Sequence, residues 1–304
     1  MTFMRSNSGI ENYSLFFGCT CTVYIEGRKS GGKPASSSVN TFDEIFYRAI
    51  LGVVKPEVKF VVKVVGSKND VLAYASRIEH NDIKHAFVIV DKDHEGITSS
   101  IIPGERVVRT FGYSWENDFW TRRLCFGIVK DLTLTEKDVG RNIFYQGYSR
   151  LSHRLTRITK IDLLSKLHGI KYIPSNDSSV GLNIEKNATF GVTAKALRNL
   201  KVPGKVKRNE LINCPVVRNF GQYVKGVAPE KIIRGHLWEH ACIHLISNSY
   251  KEKSGEKSAP NHLIKNLCFS KFMGDPSRYL MRDSYVHYSR AIGRAISASI
   301  PGGR

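Results

Sequence analysis

Ala86-Phe87-Val88-Ile89-Val90-Asp91-Lys92-Asp93 is the stretch on which the fold turns. Its unbroken apolar run, rich in β-branched residues, fits a strand buried on both faces, as in the middle of a parallel sheet covered by helices. Working outward, Cys19 to Ile25 and Val58 to Val65 read as earlier strands, and Arg106 to Phe111, after Pro103-Gly104, as a later one. Phe42, Ile45, Phe46, Ala49 and Ile50 recur at helical spacing behind Thr41, with Glu44 three residues on, so a capped helix is predicted over 42–53. Val71, Leu72, Tyr74, Ala75 and Ile78 mark a second helix after Gly66-Ser67-Lys68-Asn69-Asp70. Alternating strands and helices with right-handed crossovers predict a small doubly wound α/β domain with a parallel sheet.

Beyond Phe119 the apolar spacing turns helical, over Phe119 to Val129, Ile143 to Leu167, Glu230 to Tyr250 and Tyr279 to Ser297. Residues 171–228 are rich in Gly, Pro, Asn and Lys and show no periodicity. The 304 residues therefore divide, on sequence, into an α/β domain over 1–119 and a mainly helical domain over 120–304. Charge follows the same boundary. Residues 1–119 hold 14 basic and 14 acidic side chains and residues 120–304 hold 32 and 13, so the net +19 sits wholly in the second part. Such an excess favours a polyanionic partner, nucleic acid or an acidic substrate before a membrane surface.

No run approaches the roughly 18 apolar residues of a spanning helix, and Met1 to Asn12 is polar. No membrane association and a cytoplasmic location are expected. The six cysteines form no Cys-x-x-Cys pair and no zinc-finger spacing, so reduced, mostly buried thiols are expected.

Ligands of an open parallel sheet bind outside the carboxyl ends of its strands. Glu26 falls there after the first strand, and Asp91 and Asp93 after the third. In an extended segment alternate side chains point the same way, so Asp91 and Asp93 would present two carboxylates to one Mg²⁺ or Mn²⁺. Glu26 would serve as a further ligand or as a general acid/base. Attack on a phosphodiester builds charge on its oxygens, and carboxylate-held ions neutralise that charge and activate the attacking oxygen. An isolated Asp-x-Asp is more often a solvated turn; the combination of motifs carries the reading.

Val23-Tyr24-Ile25-Glu26-Gly27, Val65-Gly66-Ser67-Lys68-Asn69-Asp70-Val71-Leu72, Val88-Ile89-Val90-Asp91-Lys92-Asp93 and Gly112-Tyr113-Ser114-Trp115-Glu116-Asn117, in that order, resemble the toprim-type nuclease family DUF4435. That family is related to the toprim domains of topoisomerases, primases and OLD-family nucleases. Ile233-Arg234-Gly235-His236-Leu237 is similar to the Arg-Gly-Lys/His element that opens a late helix in the family. The length and layout are similar to those of the effector subunits of PARIS anti-phage defence systems.

The resemblance implies a toprim-like sheet with Glu26, Asp91 and Asp93 as catalytic metal ligands and Glu116 as a further ligand. It also implies an abortive-infection role: the chain is held inactive by an ABC/AAA-type ATPase that senses a phage anti-restriction protein mimicking DNA. Released, it would dimerise and cut host tRNA. The loop from Arg28 to Asn40 is longer than the short turn typical of toprim domains.

Arg150, Arg154, Arg157 and Lys160, with His153, form a basic helical stripe, and Lys201, Lys205, Lys207 and Arg208 a second basic cluster. Both are candidates for gripping phosphates, against the plainer reading of solvated surface. His236, Glu239, His240 and His244 share a helix face, but the His-Glu-x-x-His order is absent, so a polar interface or an RNA-facing stripe is favoured over zinc. Two rivals to an RNA nuclease stay open: a DNA endonuclease of the OLD type, and a non-catalytic adaptor of the ATPase whose carboxylates are structural.

Overall fold

The computed structural model describes residues 6–27, 41–97, 100–135, 140–167, 227–255 and 258–300. The chain folds into two compact units: Met1–Lys92 with Ile102–Phe111 and Met273–Arg304, and Asp93–Ile101 with Gly112–Phe272.

In the first unit, helices α1 (Asn7–Glu11) and α2 (Tyr13–Phe16) precede β1 (Cys21–Glu26), α3 (Phe42–Val54), β2 (Phe60–Gly66), α4 (Lys68–His80), β3 (Ala86–Val90) and β4 (Val107–Arg109). All strands are parallel, in the order β2-β1-β3-β4. Every residue of β3 is buried, which its continuous apolar run requires of a central strand. The sheet is an open α/β sheet, as expected, with β2 and β4 at its edges.

Strand alternation divides the core into two layers. Tyr24, Val65, Ala86, Val88, Val90 and Val107 pack with Val71, Tyr74, Ala75 and Ile78 of α4. The opposite layer is closed by α3 together with a helix from the far end of the chain, which packs on β3, β4 and α3. Residues predicted to belong to a separate helical domain thus complete the α/β unit, and the boundary at 119 does not describe this fold.

Each crossover helix is started by a side-chain cap. Thr41 Oγ1 accepts from the Glu44 N–H at 3.2 Å. Ser67 and Asp70 cap reciprocally: Ser67 Oγ accepts from the Asp70 N–H, and Asp70 Oδ2 accepts from the Ser67 N–H at 2.8 Å. Ser67→Ala is expected to lower stability by about 1 kcal/mol, read by chemical denaturation of the full chain. A change below a few tenths would show that the Asp70 half of the cap suffices.

The second unit is helical: α5 (Trp115–Phe119), α6 (Arg122–Leu132), α7 (Arg141–Leu167), α8 (Gly235–Ser254) and α9 (Asn261–Gly274). Its core is aromatic, with Phe119 stacked on Phe269 at 4.3 Å and Tyr148 edge-on to Trp238 at 5.0 Å. Tyr148 donates from its hydroxyl to the Trp120 carbonyl at 2.8 Å, so a buried polar tip is satisfied. The chain returns to the first unit through α10 (Pro276–Tyr279) and α11 (Arg282–Ser299). Among the described residues no helix is long and apolar enough to cross a membrane.

Candidate functional site

In the first unit the chain leaves β1 towards β2 on one side and leaves β3 towards β4 on the other. This topological switch point is where open α/β sheets bind ligands. Glu26 ends β1 and Asp91 follows β3 directly; past the last registered pair, Ile25 opposite Ile89, Glu26 is one residue on and Asp91 two. The two residues therefore sit at the carboxyl ends of adjacent strands, on one edge of the sheet. Both residues are half-buried, and Glu26 Oε2 and Asp91 Oδ1 are shielded from solvent.

Local irregularities shape this edge. The β1–β2 register shifts between Ile25 and Glu26, so that Ile25 faces Val64 while Glu26 faces Gly66. Such a bulge re-aims the end of a strand, and bulges are common beside active sites. Gly66 has φ +130°, and a Cβ there would meet Asp70 Oδ2 at 2.6 Å, so glycine is required for β2 to turn into α4. Lys68, on the first turn of α4, donates from Nζ to the Asp91 carbonyl at 2.7 Å and thereby fixes the start of the loop after β3.

Asp93 differs from expectation. It has φ +51° and its N–H donates to the Tyr113 carbonyl at 2.7 Å, so it sits in a left-handed turn. The extended geometry that would align it with Asp91 ends at Val90. Asp93 belongs to the second unit, as does Glu116, whereas Glu26 and Asp91 belong to the first. His94 and Glu95, which sequence reasoning passed over, are both buried immediately after it.

The second unit holds a buried polar cluster joining two segments far apart in sequence. Asn117 Nδ2 donates to the carbonyls of Glu230 and Ile233 at 2.6 and 2.8 Å. Lys231 Nζ donates to Asp118 Oδ1 at 2.7 Å and to the Asn117 carbonyl at 3.0 Å, with both charged side chains almost fully buried. Arg234 pairs with buried Asp162 of α7 at 2.8 Å. Removing one partner of such a pair strands a buried charge, so these contacts fix where α8 starts.

Glu116 lies at that start. Ser114 Oγ donates to its Oε2 at 2.5 Å, and His236 Nδ1 stands 3.1 Å from its Oε1. Burial pushes the Glu116 carboxyl above its usual range, against the opposing pull of His236 and of the Ser114 hydroxyl. Among the described residues, Glu116, His236 and Glu239 are the group of His, Cys, Asp or Glu whose donor atoms approach closely enough to hold an ion. The three-histidine face expected from spacing divides instead: His236 turns to this group, while His240 and His244 pair ring to ring at 4.5 Å. Burial and the neighbouring His240 both hold the His244 pKa below its usual value.

The basic stripe lies on α7. Arg150, His153 and Arg157 are exposed, Arg154 and Lys160 half-buried. Asp162 is the only carboxylate in Arg141–Leu167, and it is buried against Arg234, so the open face of this helix carries cations alone. Lys201, Lys205, Lys207 and Arg208 lie outside the described residues. The described cysteines are free thiols; burial pushes Cys21 up to about 12 and Cys242 and Cys268 well above the usual value, so these three are not poised nucleophiles. No protein-family profile matches this sequence, and no curated protein matches it.

Proposed function

We propose that this chain is a metal-dependent nuclease of the toprim type that cuts tRNA, acting as the effector of an anti-phage system under the control of a partner ATPase. The observation that carries the catalytic part is the placement of Glu26 and Asp91 on neighbouring strand ends at the switch point of a parallel sheet. Carboxylates there suit Mg²⁺ or Mn²⁺, which take oxygen ligands. A bound ion supplies charge neutralisation on the phosphodiester and a more acidic attacking water. Glu26 and Asp91 hold the ion, and Lys68 steadies the Asp91 backbone from α4.

The substrate class rests on charge. The net +19 and the carboxylate-free face of α7 suit a phosphate backbone and do not by themselves choose RNA over DNA. The tRNA substrate, the ATPase, the phage trigger and the active dimer follow from the resemblance of the four strand-end motifs and of Arg234-Gly235-His236.

Incubation of total tRNA and of plasmid with the purified chain, with Mg²⁺ or Mn²⁺, beside Glu26→Gln and a chelator control, tests the reading. Metal-dependent tRNA cuts, lost at least ~100-fold in Glu26→Gln, are expected, since a ligand of the reacting ion is removed. Plasmid cleavage in their place would make the chain a DNA nuclease. No cleavage of either, with the ATPase and its trigger present, would make it an adaptor.

Arg150→Ala, Arg157→Ala and Lys160→Ala combined should weaken nucleic-acid binding for all sequences alike. Each lost phosphate contact should flatten the log K against log salt slope by about 0.7–0.9. An unchanged slope in a filter-binding titration would place the polyanion on another face.

A further inference from the structure

The first turn of α8 and the start of α5 bring together donors that the sheet edge does not offer. Glu116, His236 and Glu239 each supply one ligand atom, and the three atoms lie within 4.8 Å of one another. His236 and Glu239 are three apart on one helix and so share a face. The 3.1 Å between His236 Nδ1 and Glu116 Oε1 falls between the separations of about 3.0 and 3.4 Å that two donors take up at octahedral and tetrahedral angles around one ion at about 2.1 Å.

Both carboxylates are oriented by a second partner. Ser114 Oγ donates to Glu116 Oε2 at 2.5 Å, and Lys265 Nζ to Glu239 Oε1 at 2.6 Å, the kind of outer contact that fixes ligating carboxylates in metal sites. The Glu116 side chain is 5% exposed and that of His236 73%, so the cluster has a closed floor and an open rim. An open rim lets an ion enter and keep water in its remaining positions.

We propose that Glu116, His236 and Glu239 form a divalent-cation site in the second unit, selective for ions that accept nitrogen over Mg²⁺. Imidazole suits Zn²⁺ and Co²⁺, whereas Mg²⁺ takes oxygen and keeps its waters. The expected order of affinity is Zn²⁺ above Co²⁺ above Mn²⁺, with Mg²⁺ weakest. The donor set differs in kind from the all-oxygen pair of Glu26 and Asp91. The site does not depend on the nuclease reading, because it can be measured without nucleic acid.

The full chain, stripped with chelator, is titrated with Co²⁺ alone and followed by visible absorption, then with Zn²⁺ as competitor and with Mg²⁺ in parallel. One Co²⁺ per chain, displaced by Zn²⁺ and not by equimolar Mg²⁺, is expected. His236→Ala and Glu239→Gln should each weaken it at least ~10-fold, the lower end of what disturbed metal sites lose. His236 is exposed, so its variant tests the site in a folded chain, checked by an unchanged melting temperature.

Glu26→Ala should leave Co²⁺ binding intact while abolishing nuclease activity, which separates the two readings. Equal binding by wild type and His236→Ala, loss of the ion in Glu26→Ala alone, or a near-ultraviolet thiolate band marking cysteine ligation would each overturn the proposal.

Discussion

A chain ending at Phe272 is expected to lose the cooperative fold of its α/β unit, although it keeps every strand and both crossover helices. The removed segment contains α11, whose Tyr288, Ala291, Ile292 and Ala295 are buried in the layer beneath β3 and β4. Burying a large apolar side chain contributes about 1.5–3 kcal/mol. Tyr288 and Ile292 alone thus approach the 5 kcal/mol or so at the low end of a domain's whole stability.

The polar contacts raise the cost of that truncation. Arg106, 7% exposed, donates from Nε and Nη2 to the Ala298 carbonyl at 3.0 and 2.7 Å, and from Nη1 to the carbonyls of Ile78 and Ile83. Ser299 donates from Oγ to the Ala86 carbonyl at 2.9 Å, and its own carbonyl accepts from the His85 N–H. Without α11 the guanidinium loses the Ala298 carbonyl, keeping those of Ile78 and Ile83, and a face of the central strands meets water; one unmet buried donor alone costs about 1–3 kcal/mol. Residues 1–272 should therefore show no melting transition for the first unit by circular dichroism, and rapid proteolysis within residues 60–111. A 1–119 fragment should fail in the same way. A sharp transition in either would mean that α11 is an accessory to the sheet.

This helix shows where sequence reading stops. The strands were legible because burial on both faces leaves its mark in consecutive residues, as in Ala86 to Val90, and the first crossover helix because its cap, Thr41, acts over three residues; the second was legible from apolar spacing alone, its Ser67 cap unread. The apolar positions of α11 were equally visible. Helical spacing says that one side of a helix is covered, though, and is silent on what covers it. Charge, summed along the chain, drew a boundary at 119 that the packing of α11 crosses.

The candidate sites divide along the same line. The placement of Glu26 and Asp91 was legible because strand ends gather at one edge of a parallel sheet. Asp93 was assigned by carrying the extended geometry three residues past the end of β3; its positive φ had no signal beyond the turn propensity of Asp. His236 and Glu239 were read as part of a polar or RNA-facing helix stripe in preference to metal ligands, because their partner Glu116 comes from a helix more than a hundred residues earlier. The one local hint was Arg234-Gly235-His236, a glycine at the first position of a helix where alanine would propagate better.

Gly235→Ala should therefore run against the usual sign. At an ordinary helical position the change stabilises by roughly 1 kcal/mol. Here an added Cβ would stand 1.9 Å from Ser114 Oγ and 2.4 Å from Glu116 Oε2, distances no folded chain tolerates. Neither neighbour can yield cheaply, because both are buried: Ser114 is tied to Asn117 Oδ1 through its N–H and to Glu116 through its hydroxyl, and Asn117 in turn to the carbonyls of Glu230 and Ile233. The start of α8 must move, and overpacking of this kind costs about 1–3 kcal/mol beyond the forfeited propensity gain. The melting temperature of the second unit should fall by about 4–10 °C, on the scale of a domain this size. Co²⁺ binding should weaken with it, since His236 and Glu239 travel with the helix while Glu116 does not. Adding Ser114→Gly removes the nearer clash at the cost of a cap, so the double variant should lie above the sum of the singles, a coupling expected only for residues in contact. Additive effects, or a Gly235→Ala chain that melts higher than wild type, would show that α8 can begin further from Glu116 and that the close approach is not what holds the site together.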